Sequence, residues 1–232
     1  MQNEFRIYTT RVKICCISSL HEAELAIRYG AHSIGLVSEM PSGPGVIPEE
    51  RIAEIAAATP PGVTSTLLTS RSSATGIISQ QRRVAVNAIQ ICDRLAEGTH
   101  QQIREALPGV ALVQVIHVVG ESSIKEAIDI APHVDAILLD SGNPDQAVKE
   151  LGGTGRCHDW DLSKRIRDAV DIPIFLAGGL NAGNAAAAIE NLKPYALDVC
   201  SGVRTNGKLD EGKLAAFMDA VRSRNTTKVW RF

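Results

Sequence analysis

A chain of 232 residues with 44% apolar side chains can bury one substantial core, and its length suits a single α/β barrel, which runs to roughly 250 residues. A formal net charge of −2 offers no general attraction for nucleic acid or an acidic membrane surface, so any anionic ligand must be held locally. No run of about 18 uninterrupted apolar residues is present, which argues against a membrane span.

Residues 1–10 lack an apolar signal core and read as a short N-terminal extension, 11–225 as one domain and 226–232 as a tail. Short β-branched runs then alternate with helical patterns. Strands are expected over 12–17, 33–37, 63–68, 88–91, 112–118, 136–140, 172–176 and 196–199. Helices are expected over 20–29, 49–58, 74–84, 99–106, 123–130, 161–170, 184–192 and 211–222. Strict alternation implies a parallel sheet, and about eight units favour closure into a (β/α)8 TIM barrel. A doubly wound open sheet is the alternative, but no GxGxxG turn follows the first strand.

In a barrel the site lies where the strands end. Those ends carry Cys15 and Cys16, Ser38, Thr69, Cys92 and Asp93, His117, Asp140, Gly178 and Ser201. Long loops follow the second and sixth strands, at 40–47 and 141–158. Strand alternation places Lys13 and Cys15 on one face, into the barrel, and Cys16 on the other, toward the helices. An ammonium near Cys15 favours the thiolate and suits a base, although a small buried cysteine can equally be core. Asp140 ends an apolar strand, where burial would keep a proton available for donation; the competing role is capping the turn into Ser141 and Gly142. Asp159 reads as a helix N-cap.

The stretch 176–204 holds two strand-to-helix turns in succession, Ala177-Gly178-Gly179 and Cys200-Ser201-Gly202. Glycine there lets backbone N–H groups approach an anion, which makes a phosphate cradle after strands seven and eight; ordinary turn glycine is the plainer reading. Gly153 and Gly155 lie in a further N–H-rich segment, a lid or a phosphate contact. The six histidines have no metal-type spacing, and five cysteines without such spacing suggest reduced thiols in a cytoplasmic protein.

Five motifs in order resemble the phosphoribosylanthranilate isomerase family of tryptophan biosynthesis. KICCIS at 13–18 is similar to its KICGIT, and LLDSG at 138–142 to LLDS. GGTGRCHDW at 152–160, LAGGLN at 176–181 and DVCSGVR at 198–204 resemble GGTGxxFDW, LAGGLN and DVSSGVE. The resemblance implies an Amadori rearrangement of a phosphorylated ribosylamine. An acid opens the furanose ring to a Schiff base, a base removes the C2 proton, and the enolamine tautomerises to the ketone. The amine nitrogen serves as electron sink, so no cofactor or metal is implied. By resemblance Cys15 is the base and Asp140 the acid. By the same resemblance the phosphate contacts map to Gly178, Gly179, Ser201 and Gly202, and Lys13, Gln90, Gly153 and Gly155 complete the expected substrate-binding set. The partner implied is a small phosphorylated sugar, with no nucleic acid or membrane, and the chain is expected as a monomer or homodimer.

The departures cluster on the aglycone side. Where the family loop reads KSPR, with an arginine for the anthranilate carboxylate, this chain has PSGP at 41–44, with Pro44 in the arginine's place. QLHG becomes QICD at 90–93, the Phe of FDW becomes His158, and the Glu of SGVE becomes Arg204. A proline cannot replace a bidentate carboxylate clamp. Weak or absent activity on phosphoribosylanthranilate is therefore expected: Asp93 would repel the substrate if it faced the pocket, and of the candidate compensating cations Arg82, Arg83 and Arg94 only Arg94 lies close after a strand end. The alternatives are an isomerase for another phosphorylated aminosugar and a non-catalytic phosphate-binding barrel.

Overall fold

A computed structural model describes residues 9–142, 151 and 159–224. Eight parallel strands close into a barrel in sequence order. They are β1 (Arg11–Ile14), β2 (Ser33–Val37), β3 (Thr64–Thr69), β4 (Ala88–Ile91), β5 (Ala111–His117), β6 (Ala136–Asp140), β7 (Ile174–Leu176) and β8 (Ala196–Val199). The helices between and after them are α1 (Leu20–Arg28), α2 (Glu49–Ala58), α3 (Ala74–Val84), α4 (His100–Ala106), α5 (Ser122–Ile130), α6 (Trp160–Ala169), α7 (Ala185–Leu192) and α8 (Glu211–Arg222). Closure comes from β1 pairing with β8, Arg11 opposite Ala196 through Ile14 opposite Val199.

Strands β2, β4, β6 and β8 are buried at every position, as a parallel sheet covered on both faces requires. One apolar cluster, including Ile14, Ile34, Leu36, Leu67, Ile89 and Leu197, packs the outside of the sheet against the helices. A second fills the barrel, with Cys15, Val37, Leu68, Val113, Val115 and Leu138 among its members. Burying one such side chain contributes about 1.5–3 kcal/mol, and the two layers together fix the strand tilt and therefore the site.

Helix starts follow their capping residues. Ser19, Ser73, Thr99 and Asp210 each accept a backbone N–H three residues on, and Asp159 accepts those of Asp161 and Leu162. The extension and tail expected at the chain ends lie largely outside the described residues, as does most of the loop between β6 and α6, with Gly153, Gly155 and His158.

The other strand and helix bounds agree with the sequence-based expectation to within two residues, but two features differ more. First, β1 stops at Ile14 rather than residue 17, because Cys16 adopts φ +62 and leaves the strand conformation. Second, a small antiparallel ladder pairs Arg204–Thr205 (β9) with Lys208–Leu209 (β10) between β8 and α8.

Candidate active site

One cavity opens at the C-terminal ends of the strands. Its walls include Cys15 from the end of β1, Gln90 from β4, Asp140 from β6, Gly178 and Gly179 after β7, and Asp198 and Ser201 at and after β8. The expected acid–base pair and the two glycine turns thus meet in one place.

Below Cys15 lies a buried charge pair. Lys13 Nζ donates to Asp198 Oδ2 at 2.7 Å and to Gln90 Oε1 at 2.8 Å, and sits 3.9 Å from Cys15 Sγ. Burial alone would favour the neutral amine, but the Asp198 carboxylate outweighs it and holds the lysine charged, above its ordinary pKa. Lys13 is only 2% exposed and does not line the cavity, so it supports Cys15 and Asp198 from beneath rather than reaching a ligand. Asp198 Oδ1 is buried without a protein partner among the described residues and belongs to a cavity-lining side chain. Room for the group comes from Gly35 on β2, where a Cβ would sit 2.9 Å from Cys15 Sγ and 3.2 Å from Lys13 Cε. Asp198 and Gly35 were not singled out from sequence. Asp198 lay inside a quoted motif, and its place facing Lys13 across the β1–β8 pair was the signal that could have found it.

Asp140 is buried, and burial is the main reason that its pKa lies above the usual carboxylate range. The Ser141 N–H, 2.7 Å from Asp140 Oδ1, and neighbouring His117 pull the other way without reversing the shift. The turn-capping contact and the proton-holding environment coexist. His117 itself is turned away from the cavity, its Nε2 3.0 Å from the Cys92 carbonyl. Other strand-end groups are spent internally. Ser38 Oγ donates to the Leu68 carbonyl at 2.8 Å and Thr69 Oγ1 to Gln80 Oε1 at 2.7 Å. Cys92 is fully buried, and burial pushes its thiol up to about 12.

The two glycine turns are in direct contact. A Cβ on Gly202 would lie 1.9 Å from the Leu180 carbonyl oxygen, so only glycine lets the turns after β7 and β8 close on each other. Gly178 and Gly179 have φ of +84° and +62°. Helix α7 begins at Ala185, later than expected, because Asn181 and Asn184 build the intervening turn; Asn184 Oδ1 accepts from Asn181 N at 2.8 Å and its Nδ2 donates to the Gly179 carbonyl at 2.9 Å.

Cys16 is a correction. It was expected to face the helices, but its positive φ turns it into the cavity wall, where Sγ lies 2.7 Å from Cys200 Sγ and 3.6 Å from the Pro44 carbonyl. Arg204 holds this end of β1 from below. Its Nη2 donates to the carbonyls of Cys15 and Cys16 at 3.1 and 2.6 Å, and its Nη1 to Glu22 Oε1 at 3.0 Å. Although burial works against it, Arg204 keeps Glu22 ionised below the usual carboxylate range.

The side of the cavity where the resemblance places the aglycone is lined by Met40, Ser42, Gly43 and Pro44. Among the described residues, no lysine or arginine lines the cavity. Arg94 pairs with Glu126 outside the barrel at 3.0 Å and Arg83 with Glu49 at 2.6 Å, while Arg82 is exposed on α3. None of the three replaces the missing clamp, and Asp93 stays off the cavity wall.

Comparison with known proteins gives one consistent result. A family model described as N-(5'phosphoribosyl)anthranilate (PRA) isomerase matches residues 12–220. An N-(5'-phosphoribosyl)anthranilate isomerase of Haloferax volcanii is 35% identical over 216 residues, 92% of this chain and 94% of that protein. The crystal structure of the Thermotoga maritima enzyme of that name superposes with a TM-score of 0.76 at 28% identity, over 92% of this chain and 99% of its own. A second solved isomerase, in complex with reduced 1-(O-carboxyphenylamino)-1-deoxyribulose 5-phosphate, matches with a TM-score of 0.73 at 26% identity, over 92% and 99% of the two chains.

Proposed function

Because this chain belongs to the N-(5'-phosphoribosyl)anthranilate isomerase family, we propose that it performs that isomerisation with Cys15 as base and Asp140 as acid. It is an intramolecular oxidoreductase, a ketol isomerase of tryptophan biosynthesis. The observation that carries the assignment of roles is the meeting of Cys15, Asp140 and the two glycine turns around one cavity.

The substrate phosphate sits at the turns of Gly178, Gly179 and Ser201, with Gly202 keeping them together. This anchors the ribose over the barrel axis. Asp140, whose pKa burial raises, donates to the ring oxygen and opens the furanose. The Schiff base then presents its C2 hydrogen to Cys15, whose Sγ lies 3.9 Å from Lys13 Nζ. Electrons from the broken C–H bond move onto the amine nitrogen, and the enolamine relaxes to the ketone. The free Oδ1 of Asp198 accepts from a ribose hydroxyl. With Pro44 in the aglycone wall, the anthranilate carboxylate receives no arginine from that loop, and the loss falls on substrate affinity rather than on the chemical step. A cytoplasmic monomer or homodimer suits this role.

Turnover of phosphoribosylanthranilate, followed by loss of its fluorescence, tests the assignment. Cys15→Ser should lower kcat by about 10²–10⁴ with KM little changed, the usual contribution of a positioned acid or base. An unchanged kcat would remove Cys15 from the mechanism.

A further inference from the structure

Cys16 and Cys200 are a matched pair of departures. They replace the glycine of KICG and the first serine of DVSS, positions far apart in sequence, and the fold sets their sulfurs 2.7 Å apart. That is inside the contact distance of unbonded sulfurs and about 0.7 Å beyond a covalent S–S bond. A cysteine at φ +62 carries strain that glycine would avoid, and the surroundings are shaped to it. A Cβ on Gly45 would lie 2.5 Å from Cys16 Cβ, so the loop after β2 approaches Cys16 with glycine at the point of contact.

We propose that Cys16 and Cys200 form a reversible disulfide at the mouth of the barrel, taking up oxidising equivalents of the hydroperoxide class in place of Cys15. The two thiols differ in a way that suits the sequence of events. Cys200 is partly exposed, and its hydrogen bond with Cys16, then the nearby Arg204 charge, outweigh burial and draw its pKa down. Cys16 is buried, and its contacts with Cys15 and Cys200 together with burial push its thiol up. The Cys200 thiolate attacks one peroxide oxygen, the O–O bond breaks, and water leaves a sulfenic acid on Cys200. The Cys16 thiol then displaces that hydroxyl as a second water and the S–S bond forms. Two thiols and one hydrogen peroxide give one disulfide and two waters, and a dithiol reductant reverses the change. The bridge ties the end of β1 to the turn that carries Ser201, beside the proposed base.

The test reads thiols and mass, so its outcome is independent of the isomerase assignment. The full-length protein is treated with equimolar hydrogen peroxide, denatured, alkylated and mapped by mass spectrometry. Of its five cysteines, the native chain should lose two alkylatable thiols, Cys16 and Cys200, with a mass lower by two hydrogens and full recovery on reduction. Cys15→Ser should still form the bridge, which separates Cys16 from its neighbour in the cross-linked peptide. Cys16→Ser and Cys200→Ser should each form none and should instead gain oxygen on Cys15. A bridge that persists in Cys200→Ser, a bridge through Cys15 or Cys157, or oxygen added to Cys15 in the native chain without a bridge would each overturn the proposal.

Discussion

Lys13→Met tests how the base of the site is held. The lysine and Asp198 side chains are 2% and 6% exposed, and Met keeps most of the lysine's volume while removing its charge. Asp198 then remains in the barrel with one oxygen stripped of its cation and the other already without a protein partner. Removing one member of a buried ion pair costs about 3–5 kcal/mol, because the remaining charge is neither hydrated nor paired. For a protein of this size that corresponds to a fall of roughly 6–20 °C in Tm. Asp198→Asn added to Lys13→Met removes the stranded charge and should recover most of the loss. The assay is urea and thermal unfolding of the native chain, both single variants and the double variant by circular dichroism. A loss under about 1 kcal/mol in Lys13→Met, or a double variant no more stable than it, would refute the argument that this pair is a buried electrostatic unit.

Three further substitutions probe other parts of the site. Gly202→Ala puts a methyl group 1.9 Å from the Leu180 carbonyl, forces the two turns apart, and should weaken phosphorylated ligands at least about tenfold in a binding titration. Asp140→Asn should lower kcat by about 10²–10⁴ yet stabilise the fold at neutral pH. Because burial raises the folded pKa, the Asp140 contribution is full below the unfolded value of about 3.9 and is lost as pH rises through the folded one. The Tm advantage of Asp140→Asn should therefore grow from pH 4 to pH 8, and a constant difference would contradict the raised pKa. Pro44→Arg should lower KM for phosphoribosylanthranilate with little change in kcat, since a carboxylate's charged partner is worth about 2–5 kcal/mol. An unchanged KM would mean that another group already binds the carboxylate.

The barrel was legible because each strand is a short apolar run between helices with recognisable caps. Seven of the sixteen expected elements match their observed bounds and seven more shift by a single residue at one or both ends, with caps such as Ser19 and Asp159 setting helix starts. The strand-end rule then brought Cys15, Asp140 and the glycine turns to one face without any contact information. It failed at Cys16, where period-two alternation assumes extended backbone and the chain instead enters the left-handed region one residue past the strand's hydrogen-bonded end. Lys13, expected as a ligand contact, does not line the cavity. A lysine inside a barrel implies a buried partner, and that partner, Asp198, lies 185 residues away across the seam that closes the barrel. Arg204 followed the same pattern. As a departure it suggested an altered pocket, whereas its guanidinium is used on Glu22 and two backbone carbonyls.

The most direct test of the account is turnover of phosphoribosylanthranilate by the native chain beside Cys15→Ser and Asp140→Asn, over substrate concentrations high enough to reach saturation. The account predicts loss of substrate fluorescence with the native chain, a raised KM that Pro44→Arg lowers, and kcat reduced by about 10²–10⁴ in each of the two variants. No turnover by the folded native chain at saturating substrate, or full turnover by either variant, would contradict it.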